Sequence, residues 1–102
     1  MQEIPVFTPK RDPIILPEGA TLLDFAFAVH TDLGLRCAGG TVNGKPASPI
    51  SVMHWGDTVE VETSASQSPK PHWLEYVKTY RAHRMIRRYL SQEAPSGGLM
   101  FE

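Results

Sequence analysis

Ile15-Leu16-Pro17-Glu18-Gly19-Ala20-Thr21-Leu22-Leu23-Asp24-Phe25-Ala26 joins the end of one element to the start of another. Ile15 and Leu16 finish a short apolar run, and Pro17-Glu18-Gly19 ends it, because proline and glycine break a strand ladder and favour a turn. Thr21 then offers a hydroxyl to cap a helix. Asp24 stands three residues on, where its carboxylate completes a capping box and meets the positive end of the helix dipole. Leu22, Phe25, Ala26, Val29 and Leu33 recur at helical spacing, which predicts one buried stripe. Gly34 is placed to end that helix in a left-handed conformation.

Working outward, Ile4, Val6 and Phe7 form a strand that turns through Thr8–Asp12 into Pro13–Leu16. Beyond the helix, Cys37–Val42 reads as a third strand, and Asn43-Gly44 is the dipeptide of a tight hairpin. The stretch Pro46–Trp55 is irregular, with Trp55 expected to be a lid over the core, the commoner case, or a stacking platform. Gly56-Asp57 then turns into Thr58–Thr63, where Val59 and Val61 alternate inward and Glu60 and Glu62 outward. Strands with one helix to cover one sheet predict an α+β fold, a ubiquitin-like β-grasp with a mixed sheet, followed by a C-terminal helix.

The chain has 102 residues and a net charge of −1, but the charge is divided. Residues 1–69 carry four Lys/Arg against eight Asp/Glu, net −4, and residues 70–102 carry six against three, net +3. The change falls at the breaker-rich stretch Ser64–Pro71. The expected division is therefore a β-grasp domain over 1–64, a linker over 65–71, a basic amphipathic helix over 72–91 and a disordered tail over 92–102. No apolar run approaches the roughly 20 residues that span a bilayer. Met1-Gln2-Glu3-Ile4-Pro5 has neither the basic nor the apolar part of a secretory signal. A single cysteine, Cys37, suits a reducing compartment, and a cytoplasmic protein is expected.

A helix over 72–91 would place Arg81, Arg84 and Arg88 on one face, with Lys78 and Arg87 beside them. Such a face is either solvated or pairs with RNA phosphates. On that same continuous helix, Trp73, Tyr76, Val77 and Tyr80 point one way and Met85, Ile86, Tyr89 and Leu90 nearly the other. The first set is expected to pack locally and the second to dock on a neighbouring domain or a second copy, giving a homodimer. Arginine-rich turns with split apolar faces do not suit a membrane surface.

No phosphate loop, dinucleotide fingerprint or HExxH zinc motif is present. His30, Cys37, His54, His72 and His83 lack metal-ligand spacing, so no metal or cofactor is expected. Cys37 reads as a small buried thiol rather than a nucleophile. Asp57, Glu60 and Glu62 read as a turn and a solvated strand face. No catalytic residue is assigned. Gly97-Gly98 could suggest a sulfur carrier, but the pair lies far beyond the last strand and Leu99–Glu102 follow it.

Val6-Phe7-Thr8-Pro9-Lys10, Ile15–Thr21, Asp24–Asp32, Arg36-Cys37, Val42-Asn43-Gly44-Lys45 and Gly56–Val61 together resemble a TGS domain, over about residues 4–64. Trp73–Thr79, with Ala82, Ile86 and Arg87, resembles the segment that follows TGS in RelA/SpoT-type (p)ppGpp synthetases and hydrolases. The resemblance implies a non-catalytic regulatory module whose parent is a GTP pyrophosphokinase or (p)ppGpp hydrolase. Its partners would be the 3′ CCA end of uncharged tRNA, the ribosome, and the parent's own catalytic and helical domains. The alternative is an intramolecular protein-binding domain without RNA contact. By the same resemblance the tRNA end would meet His30, Gly34, Leu35 and Arg36. The family often reads Gly-His-Arg-Cys where this chain reads Gly34-Leu35-Arg36-Cys37, so a hydrogen-bonding side chain is replaced by an apolar one. His30 also reads as a helix-end residue bonded to nearby backbone, and Arg36 as one half of a surface ion pair. Arg11 stands where the family commonly has glycine in the first hairpin turn.

Overall fold

A computed structural model of the chain describes residues 2–93, the last of these by its backbone. The expected tail lies largely outside the described residues, as do Gly97 and Gly98. Two strands, β1 (Glu3–Phe7) and β2 (Pro13–Pro17), pair antiparallel with Pro5 opposite Ile15. Two short helices follow, α1 (Leu22–Val29) and α2 (Thr31–Leu35). β3 (Cys37–Val42) lies between β4 (Lys45–Ala47) and β5 (Val59–Thr63), all antiparallel. A parallel bridge between Phe7 and Thr58 sets β1 beside β5, with the Phe7 amide donating to the Asp57 carbonyl at 2.8 Å. The two ladders thereby meet in a mixed β-grasp sheet.

The hairpin signals act as read. Asn43 and Gly44 both adopt positive φ, 53° and 83°, the pairing a two-residue primed turn demands. Arg11 also adopts positive φ, 72°, a conformation that glycine takes without steric cost and other residues seldom do. Its guanidinium lies 4.6 Å from the Phe7 ring centroid and donates to Thr58 Oγ1 at 2.8 Å.

The irregular stretch has a structural task. The amides of Leu22 and Leu23 sit in the first turn of α1, where no helical partner exists. They donate instead to the carbonyls of Ser51 and Pro49, at 2.9 and 3.0 Å. The loop thus satisfies the helix end that the Thr21 hydroxyl leaves over. Trp55 does not cover the core as expected: it is 72% exposed. The Gly56 amide donates to Pro5, a bond that anchors this turn to β1 beside the tryptophan. Trp55 lines an open cleft of about 740 Å³ with Val52, Met53 and His54, facing Glu3 and Glu18.

Three expectations for the helices need correction. The first helix does not run on to Gly34. It stops at Val29, an extended His30 intervenes, and α2 begins at Thr31. His30 ends one helix with its amide on the Ala26 carbonyl and starts the next with Nδ1 accepting from the Asp32 amide at 3.1 Å. Gly34 therefore lies inside α2 and is buried. Second, Val29 is 39% exposed and Leu33 only half-buried, while Leu23 and Phe27 are fully buried. An isolated amphipathic helix would bury one stripe, but α1 is covered on a second side.

The cover is the C-terminal segment, and here lies the third correction. The expected single helix over 72–91 is instead a 3-10 turn, Pro71–Glu75, a break, and α3, Tyr80–Glu93. The break changes the register. Trp73 from the turn, Val77 from the break, and Ala82 and Ile86 from α3 then all enter one core with Leu23, Phe25 and Phe27. Met85 and Leu90 are half-buried against it. Ile86 has no exposed surface, so it is not available to the expected homodimer contact. Of the first apolar set, Tyr76 and Tyr80 point outward, 42% and 77% exposed.

Candidate nucleic-acid interface

The residues singled out for RNA contact surround the junction of α1, α2 and β3. His30 is placed by its capping bond, which occupies Nδ1 and leaves Nε2 facing solvent, with the side chain 66% exposed. The reading of His30 as a helix-end residue bonded to backbone therefore holds, and it does not remove the ring from the surface. Arg36 ends α2, and its guanidinium donates to the Ala65 carbonyl at 2.8 Å while its own carbonyl accepts from Ser64 at 3.0 Å. The expected ion pair is replaced by a clasp on the chain leaving β5. Gly34 faces inward: a Cβ there would sit 2.4 Å from the Phe27 ring. Its lack of a side chain serves packing. Leu35 is half-buried against the core.

Cys37, next in sequence, is fully buried and its Sγ lies 3.8 Å from the Gly39 carbonyl. Burial pushes its thiol above the ordinary cysteine range, against a smaller downward pull from that bond. A thiol so placed resists ionisation and presents no nucleophile at the surface. Among the described residues, no group of three or more His, Cys, Asp or Glu side chains could hold a metal ion. No helix among them is long and apolar enough to cross a membrane.

The basic residues divide by position. Lys78 precedes α3, with its side chain close to Gly19 in the turn between β2 and α1. Arg81 turns back on the protein: Nε donates to the Phe27 carbonyl at 3.0 Å and Nη2 to Thr31 Oγ1 at 3.3 Å. It thus caps the carbonyl end of α1, where a cation also meets the negative end of the dipole. Arg84, Arg87 and Arg88 are exposed on α3. With the helix starting at Tyr80, Ala82, Met85, Ile86, Tyr89 and Leu90 share one side and the arginines the other, a single amphipathic pattern.

Residues 4–63 match the family model of the TGS domain. The chain belongs to the TGS family. It is 52% identical over 91 residues to a GTP pyrophosphokinase of Myxococcus xanthus, covering 89% of this chain and 12% of that protein. It is 40% identical over 92 residues to the guanosine-3′,5′-bis(diphosphate) 3′-pyrophosphohydrolase of Aquifex aeolicus, covering 90% and 13%. It is 44% identical over 95 residues to the bifunctional (p)ppGpp synthase/hydrolase RelA of Mycobacterium tuberculosis, covering 91% and 13%. These relatives are RelA/SpoT-type proteins, and the chain spans about an eighth of their length.

Two features of this TGS chain were not read from its sequence. One is the tie between Asp24 and the break before α3. The carboxylate accepts from the amides of Lys78 and Thr79 at 2.9 Å each and from the Thr79 hydroxyl at 2.8 Å, besides its capping bond from the Thr21 amide. Thr79 Oγ1 in turn accepts from the Ala82 amide at 3.2 Å, the bond of an N-cap. A threonine three residues before a buried alanine was the available signal. The other is a groove between α2 and α3, about 240 Å³, lined by Thr31, Leu35, Met85, Arg88, Tyr89 and Gln92. No spacing rule brings residues 31–35 and 85–92 together.

Proposed function

We propose that this TGS domain is the RNA-recognition module of a RelA/SpoT-type enzyme, contacting the 3′ CCA end of uncharged tRNA on the ribosome through the segment His30–Cys37. In this reading the domain performs no catalysis itself. It reports the state of the tRNA end to catalytic and helical domains elsewhere in a cytoplasmic parent that makes or hydrolyses (p)ppGpp. The observation that carries the reading is the exposed His30 ring, held by its own capping bond at the start of α2, the helix that Arg36 ends. An imidazole fixed at one nitrogen presents the other for a ribose or base edge, and single-stranded RNA ends are read by such hydrogen bonds and by stacking. The exposed arginines of α3 add salt-dependent attraction for phosphates.

A second reading, an intramolecular protein-binding domain, is favoured by the exposed Trp55 and Val52 beside Glu3 and Glu18. Titrating the isotope-labelled chain with a deacylated acceptor-stem hairpin, with and without CCA, separates the two. Amide shifts centred on His30–Arg36 that disappear without CCA are expected. Shifts confined to Arg84–Arg88 that fade with salt, or no shifts at all, would overturn the RNA-end reading.

A further inference from the structure

The groove between α2 and α3 lies beside the proposed RNA-end contact, yet none of its α3 residues belongs to the matched span, residues 4–63. Its floor is apolar. Leu35, Met85 and Tyr89 are each half-buried there. Its rim is polar, with Thr31 and Gln92, and cationic, with Arg88 exposed and in no ion pair among the described residues. At about 240 Å³ the groove is smaller than the roughly 300–1,000 Å³ of sites that hold a drug-sized ligand. A single flat group suits it.

We propose that this groove is a stacking subsite for one unpaired nucleotide of an RNA end, with the base against Leu35, Met85 and Tyr89 and the phosphate on Arg88. The inference rests on the RNA-end reading above and deepens it. An aromatic ring next to an unpaired arginine is the combination that single-stranded nucleic acid uses: the π-face takes any base and the cation follows the backbone. Charge favours this occupant over an apolar peptide, since residues 70–102 carry a net +3, Arg88 lines the groove itself, and Arg84 and Arg87 are exposed elsewhere on α3. The inference also gives Leu35 a role. The side chain that follows Gly34 forms an apolar wall of the slot. Contact at this position then comes from packing against a base rather than from a hydrogen bond.

The test measures affinity of the chain for acceptor-stem hairpins that end in CCA, in CCA with an abasic last nucleotide, or without CCA. Tyr89→Ala is expected to weaken binding of the CCA hairpin about 10-fold and to leave the hairpin without CCA unchanged. Tyr89→Trp retains an aromatic face and should bind as the parent does, which guards against a fold defect in the alanine variant. Arg88→Gln should weaken the CCA hairpin and lower the salt slope by about one unit. CCA-dependent binding by the parent that survives Tyr89→Ala and Arg88→Gln would overturn the subsite while the RNA-end reading stood. Binding indifferent to CCA would overturn both. A concentration-dependent dimer abolished by Tyr89→Ala would show that a second copy fills the groove, and would also overturn the subsite.

Discussion

Asp24 Oδ1 accepts from both the amide and the hydroxyl of Thr79, at 2.9 and 2.8 Å, across 55 positions of chain. One fully buried carboxylate thereby caps α1 through Thr21 and holds the start of α3 through Thr79. Hydrogen bonds to a charged acceptor are stronger than neutral ones, and buried donors stripped of their acceptor carry their full desolvation cost. Asp24→Ala is expected to lose about 3 kcal/mol or more, a large share of the stability of a domain this size. Thr79→Val should lose about 1–2 kcal/mol, and Thr79→Ser much less, because serine keeps the hydroxyl. Urea unfolding of both single variants and the double variant checks the link. The double variant should lose clearly less than the two losses added together.

This contact also marks how far the sequence could be read. Thr21, Asp24, Asn43-Gly44 and the alternation of Val59 and Val61 are local signals, each tied to a backbone geometry within a few residues, and they placed the sheet and the first helix. The limits of α1 were harder. His30 can end one helix and start another only because its side chain reaches the Asp32 amide, and no period in the apolar residues reveals that. The split apolar faces of residues 73–90 posed a real conflict, since one continuous helix cannot bury both sets. The resolution was long-range: Asp24 holds the Lys78 and Thr79 amides and allows the chain to re-register. The cationic residues were legible as a group, but their division was not. Arg81 is drawn to a carbonyl of α1 that sequence spacing alone does not place beside it.

Gly34 tests the claim that its role is packing. A Cβ would lie 2.4 Å from the ring of Phe27, which has no exposed surface into which to swing. Overpacking of this kind costs about 1–3 kcal/mol, and alanine's better helix propensity returns up to about 1 kcal/mol. Gly34→Ala should therefore lower the melting temperature by several degrees. Adding Phe27→Leu, which shortens the side chain in the way, should cost less in the Gly34→Ala background than alone. Simple additivity of the two changes would count against the contact.

Cys37 makes stability depend on alkaline pH. Its thiol titrates higher in the folded protein than in the unfolded chain because burial disfavours the thiolate. The folded state therefore holds this proton more tightly, so the contribution is whole below the unfolded cysteine value, about 8.5, and declines as pH rises above it. Unfolding free energy measured from pH 7 to 10 should fall, and Cys37→Ala should remove part of that slope after its constant packing loss is subtracted. A thiol reagent should react with native protein only at the rate of opening, and in denaturant at the rate of a free cysteine. Equal rates in the two conditions would place the thiol at the surface.

Arg81 and Arg84 lie less than one turn apart on α3 and should separate cleanly. Arg81 bonds the Phe27 carbonyl and Thr31, so it supports the end of α1 and the start of α2. Arg84 is exposed and makes no ion pair among the described residues. Arg81→Gln should cost about 1 kcal/mol of stability, the net value of such a bond together with the charge at a helix C-terminus. Arg84→Gln should change stability by less than about 0.5 kcal/mol. Its effect is expected on association with RNA, as a salt dependence shallower by about one unit for every sequence tested alike. A charge that only follows phosphates does not distinguish CCA-ended from truncated hairpins, so the ratio of the two affinities should be unchanged by Arg84→Gln. A change in that ratio would move Arg84 from general attraction to recognition of the end itself.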